Sequence, residues 1–106
     1  MTRCVIDGKV YDTETATEIG KIGSITDDIG NFKFWAATLY VTRKGRFFME
    51  GEGGPQSPFA ESLGGRAYAS GSGLRALEPQ EALAMASYTL STGTIERHFG
   101  DLIEEA

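Results

Sequence analysis

The chain has 106 residues, with fifteen acids against ten bases, a net charge of −5 and a pI near 4.8. This length suits one domain with a core of its own, and 41% apolar with 24% charged residues fits a folded, soluble protein and not a disordered one. The acidity excludes a non-specific nucleic-acid binder, which neutralises phosphate with basic residues, and a lone cysteine, Cys4, excludes an internal disulfide.

The chain opens with Arg3 to Ile6, then Asp7-Gly8, then Lys9 to Tyr11. Asp-Gly between apolar pairs predicts a two-residue hairpin, because both turn positions want positive φ. From Tyr11 to Gly20 the residues suggest a short early helix. Asp12 or Thr13 would cap it, Glu14 would face its positive end, and Gly20 and Lys21 would close it. Gly23 to Gly30 reads as a loop, with turn chemistry at Asp27-Asp28 and Gly30-Asn31.

Phe34 to Thr42 alternates as a strand, with Trp35, Ala37, Leu39 and Val41 on its apolar face. Arg43-Lys44-Gly45 fits a tight turn. Arg46 to Glu50 returns as the partner strand, with Phe47 and Met49 on one face and Phe48 on the other. The glycines from Gly51 to Gly73 suggest a loop-rich stretch. Gly51 to Pro55 reads as a strand-ending turn and Gly71-Ser72-Gly73 as another turn. Tyr68 and Leu74 to Leu77 suggest a further short strand or edge. Pro79 and Glu81 begin a helix to about Leu90, with Leu83, Ala86 and Leu90 along its inner stripe. Ser91 or Thr92 caps a second helix holding Ile95 and Phe99, which Gly100 closes. The expected fold is a single α+β domain over residues 1–106. It comprises a small antiparallel sheet, an early short helix and a C-terminal helical pair.

Chemical signatures are sparse. His98 is the only histidine and has no ligand cluster beside it. Gly51 to Gly54 carries an acid where a phosphate loop needs lysine and a following helix. No nucleophile elbow occurs, and Asp27-Asp28 lacks the remaining ligand spacing of a calcium loop. Arg43, Lys44 and Arg46 form a basic tip beside Phe47 and Phe48, which suits an ordinary solvated hairpin end. Cys4 reads as a small hydrophobe in the first strand. The expectation is a protein without catalytic residues, cofactor or metal. It lacks a signal-type apolar stretch near Met1 and any apolar run long enough to span a membrane, so a cytoplasmic location in a prokaryotic cell is expected.

The charge is unevenly placed. Residues 1–75 hold nine acids and nine bases, whereas residues 76–106 hold six acids and one base, Arg97. The six acids are Glu78, Glu81, Glu96, Asp101, Glu104 and Glu105. Spaced carboxylates on a helical face can dock on a basic partner by presenting a field like that of a nucleic-acid backbone. These six are the expected partner-binding residues.

Three runs carry a resemblance: Gly8 to Ala16 (GKVYDTETA), Leu39 to Pro55 (LYVTRKGRFFMEGEGGP) and Leu77 to Ala82 (LEPQEA). In this order they resemble small acidic proteins encoded on phages and mobile elements, a group that includes anti-CRISPR inhibitors. The alanine-rich segment Ala82 to Ala86 departs from the more charged helix of that group. The resemblance implies a compact α+β fold and a non-enzymatic inhibitor of a CRISPR–Cas complex, type I favoured, acting as a DNA mimic. The partner would be a basic host protein surface, with no direct nucleic-acid or membrane contact. The alternative is a mobile-element accessory or antitoxin-like interaction module.

Overall fold

The structure is a computed structural model and describes residues 3–23, 34–65, 67–69 and 71–104. The loop chemistry at Asp27-Asp28 and Gly30-Asn31 lies outside the described residues, as does Glu105.

β1 (Arg3–Ile6) and β2 (Lys9–Asp12) pair antiparallel around Asp7-Gly8, where φ is 52° and 74°. Two successive positive φ values give the turn the hand that matches strand twist, as the Asp-Gly pair predicts.

The early helix does not form. Asp12 does act as a cap, but of a single turn: its Oδ1 accepts from Glu14 N–H at 2.9 Å, and its carbonyl accepts from Ala16 N–H at 3.1 Å. The chain then enters β3 (Thr17–Gly23). Thr13, Thr15 and Thr17 are β-branched and stiff at χ1, which disfavours helix and favours strand. Ile19 and Ile22 are both buried, and a β-bulge between Glu18 and Gly20 lets both side chains reach the same core. Gly20 and Lys21 are therefore strand residues, not a helix end.

β4 (Trp35–Val41) and β5 (Phe47–Gly53) form the expected hairpin, with Gly45 at φ 82° in its turn. β5 runs farther than the sequence reading allowed. Gly51 to Gly53 belong to the strand, and the turn follows at Gly54. β6 (Glu61–Gly64) and β7 (Ala67–Ala69) make a small hairpin. β8 (Gly71–Leu77) pairs along the whole of β5, so Gly71-Ser72-Gly73 is strand and not turn. The main sheet has four antiparallel strands in the order β3-β4-β5-β8.

Two glycines let a loop lie on this sheet. A Cβ at Gly71 would collide with the Phe59 carbonyl, and one at Gly53 with the Ser57 side chain. Ser57 folds the loop, donating to Gly54 O at 2.7 Å and accepting from Phe59 N–H at 3.2 Å. Phe59 thereby enters the core beside Trp35, and the Arg75 guanidinium sits 5.7 Å from its ring centre.

The helical pair forms as expected. α1 (Pro79–Thr89) buries Ala82 and Ala86, and α2 (Thr92–Phe99) buries Phe99. Ser91 Oγ caps α2 by accepting from Thr94 N–H at 3.3 Å. Gly100 does not close α2 in a left-handed conformation: its φ is −53°, and the chain tightens into a 3-10 turn over Gly100–Leu102.

One face of the sheet is covered by the helices and the other in part by the β1-β2 hairpin. Ile19, Ile22, Leu39, Phe47, Met49 and Phe59 pack with the helices on one. On the other, Tyr11 of the β1-β2 hairpin packs on Phe48 and Leu74, with Cys4 and Ile6 alongside. Phe48 is fully buried there, stacked on Tyr40 at 5.0 Å and edge-on to Tyr11 at 5.5 Å. Each such aromatic contributes about 1.5–3 kcal/mol by burial. The architecture is α+β, with both helices at the C-terminal end of the chain.

Candidate protein-binding surface

Glu78 and Glu81 sit where β8 gives way to α1. Glu78 is the N-cap, and its N–H donates to Glu81 Oε1 at 3.1 Å in a capping box. These two carboxylates therefore stabilise the helix start as well as face solvent. Pro79 between them has no N–H to satisfy.

Glu96 is exposed on α2, three residues before buried Phe99. Asp101 and Glu104 are exposed beyond it. Phe99 stacks on Phe47 with ring centres 4.8 Å apart, and Phe47 pairs with Leu77, the residue preceding Glu78. The end of α2 thus returns to the end of the sheet where α1 begins. This brings the Asp101 turn to the same end of the molecule as Glu78 and Glu81. Five of the six expected residues are described and exposed. Arg97 and His98 occupy the last turn of α2, where cations suit the helix dipole.

A cavity beside Glu78 and Glu81 is also lined by Asp7, Lys9, Arg46 and Arg75. Acids and bases balance there, so of the described expected residues Asp101 and Glu104 are left without a neighbouring base, while Glu96 stands next to Arg97 on α2.

The sheet holds a second acidic region that the sequence reading missed. Beyond the β1-β2 hairpin, the face away from the helices stays open. A shallow cavity of about 660 Å³ lies on it, lined by Lys21, Ala36, Thr38, Glu50, Glu52 and Ser72 among others. Lys21 Nζ donates to Thr38 Oγ1 at 2.8 Å. Burial pushes the Tyr40 phenol above the ordinary tyrosine value, and the carboxylates of Glu50 and then Glu18 push it further. The signal was the alternation Phe48, Glu50, Glu52 on one face of β5. Ending the strand at Glu50 concealed it. Residues 1–75 are neutral in sum but not in space. Their bases Arg43, Lys44 and Arg46 stand at the β4-β5 tip, and Glu18, Glu50 and Glu52 fall on the open face.

Among the described residues no group of three or more His, Cys, Asp or Glu side chains is placed to hold a metal ion. Nor is any described helix long and apolar enough to cross a membrane. Compared with protein-family models, curated proteins and solved structures, the chain matches none.

Proposed function

We propose that the chain is a non-enzymatic binding protein that inhibits a prokaryotic CRISPR–Cas complex, type I favoured. It docks an acidic helical surface on a basic, nucleic-acid-binding surface of that complex. The observation that carries this reading is the exposure of Glu96, Asp101 and Glu104 on the α2 side, where Arg97 is the only base after Arg75. An exposed one-signed field steers association with an oppositely charged partner and opposes wrong ones. The three-run resemblance to small acidic phage and mobile-element proteins supplies the partner class.

The test is to express the chain in cells with active CRISPR immunity and count phage plaques or plasmid transformants. Restored plaquing against a type I system supports the proposal. No restoration across several CRISPR types overturns it. Recovery from the host of a toxin or replication protein, without any CRISPR subunit, replaces it with an accessory or antitoxin-like module.

A further inference from the structure

We infer that the cleft between the β1-β2 hairpin and the β4-β5 tip binds a diphosphate group. The inference is independent of the inhibitor reading, whose surface is acidic and lies on the α2 side.

The fold brings together charges that lie far apart in the sequence. Tyr11 of β2 packs on Phe48, which pairs with Tyr40 just before the tip. β2 therefore lies over the end of the β4-β5 hairpin that carries the tip. Between them is a cavity of about 590 Å³, lined by Lys9 and Asp12 of β2 and by Thr42, Arg43, Lys44 and Arg46 of the tip. This volume is in the range of small-ligand sites. Four of the chain's ten bases share this cavity with a single carboxylate, so four cations less one acid leave a local charge of +3. The chain as a whole carries −5, so the sign is reversed here. Among the described residues none of the four cationic side chains has an ion-pair or hydrogen-bond partner. The one carboxylate is already engaged, since Asp12 Oδ1 accepts from Glu14 N–H at 2.9 Å. Lys9 and Arg46 also border the balanced cavity beside Glu78 and Glu81, so the positive potential is strongest at Arg43 and Lys44.

The tip is held in place before any ligand arrives. Thr42 O accepts from Gly45 N–H at 2.9 Å, and Thr42 N–H donates to Arg46 O at 2.8 Å. Thr42 Oγ1 accepts from Arg46 N–H at 3.1 Å, and its own proton remains to donate. Cations fixed on two hairpins repel one another, and an anion between them converts that repulsion into attraction. One phosphate group carries about −1.5 to −2 near pH 7 and leaves part of the +3 uncovered. Two linked phosphates cover it. No aromatic ring lines this cavity, so it offers no platform for a stacked base, and recognition is of the phosphates themselves.

Titration of inorganic pyrophosphate into the full chain, without divalent cations and followed by amide NMR, tests the site. Saturable shifts are expected at the amides of Gly8, Lys9, Arg43 and Lys44. Orthophosphate should bind at least about tenfold more weakly, and equal affinity overturns the diphosphate assignment. Arg43→Gln with Lys44→Gln should weaken pyrophosphate binding at least about tenfold, and Lys9→Gln, on the other hairpin, at least about threefold. All three positions lie outside the core, and wild-type shift mapping stands without the variants. Arg97→Gln removes the same charge away from the cavity and should leave affinity unchanged. A loss there equal to that of Lys9→Gln overturns the inference, because net charge alone would then explain binding. Absence of saturable shifts up to about 10 mM pyrophosphate also overturns it. So does a duplex oligonucleotide that binds the same residues more tightly than pyrophosphate, a result that would assign them to a nucleic-acid backbone.

Discussion

Phe99 of α2 and Phe47 of β5 stack with ring centres 4.8 Å apart and planes 11° apart. Both rings are buried, and the pair fastens the acidic end of the chain to the sheet. Phe99→Ala should cost about 3–5 kcal/mol, from lost transfer energy plus a cavity. Against a total stability of about 5–15 kcal/mol, that is a large fraction. Urea denaturation with tryptophan fluorescence, reporting Trp35, measures it. A loss below about 1 kcal/mol would mean that α2 is held by other contacts.

Glycine substitutions should divide by surroundings. Gly71→Ala drives a methyl into the Phe59 carbonyl and should cost about 1–3 kcal/mol through overpacking. Gly93 lies in α2 with open space where a Cβ would sit. Gly93→Ala should stabilise by about 0.4–1 kcal/mol through unfolded-state entropy and helix propensity. Thermal melts of the two variants should move in opposite directions.

Charge reversal separates binding from folding. Glu96→Lys, Asp101→Lys and Glu104→Lys combined should abolish inhibition in the plaque assay while changing stability by no more than about 0.5 kcal/mol per site. Glu78 and Glu81 are poor sites for that experiment, because they close the capping box. Glu81→Ala should itself cost about 0.5–2 kcal/mol in a urea titration. Undiminished inhibition by the triple variant would remove the helical face as the docking surface and direct attention to Glu50 and Glu52.

Tyr40 carries an alkaline signature. Its folded-state phenol ionises above the ordinary value of about 10, through burial first and then Glu50 and Glu18. A group with a raised pKa binds more protons folded than unfolded, so its contribution is intact below about pH 10 and is lost as pH rises through the folded value. Tyr40→Phe should therefore flatten the fall of stability above pH 10. Glu50→Gln should bring the phenolate absorbance onset to lower pH in the Tyr40 component.

Much of this fold was legible from local pattern. The Asp7-Gly8 turn, the strict alternation from Trp35 to Val41, Pro79 at a helix start and the Ser91 cap each state their geometry within a few residues. The early helix was misread because capping residues look alike whether one turn follows or several. Asp12 caps a single turn, and the threonines and the Ile19–Ile22 spacing then carry the chain into a bulged strand. Gly51, Gly53 and Gly71 were misread because a glycine accepted for close packing looks like a glycine needed for a turn. Only the Phe59 loop over Gly53 and Gly71, and the close approach of Ala36 and Ala37 of β4 to Gly51, tell the two apart. The acidic helical residues were legible as a charge count. The open-face group of Glu18, Glu50 and Glu52 was not, since it depends on the register of β3, β4 and β5.

The two borders of the main sheet are unlike. Along β3, Thr89 Oγ1 donates to the outward carbonyl of Lys21 at 3.1 Å, Leu90 lies against Gly20, and the strand is bulged. Along β8 the strand's own Arg75 Nη1 donates to the outward Leu74 carbonyl at 3.0 Å, and Leu74 is buried. Each border is thus stoppered by a side chain, one reaching in from a helix and one folding back from the strand itself, so neither offers a stray chain a continuous ladder.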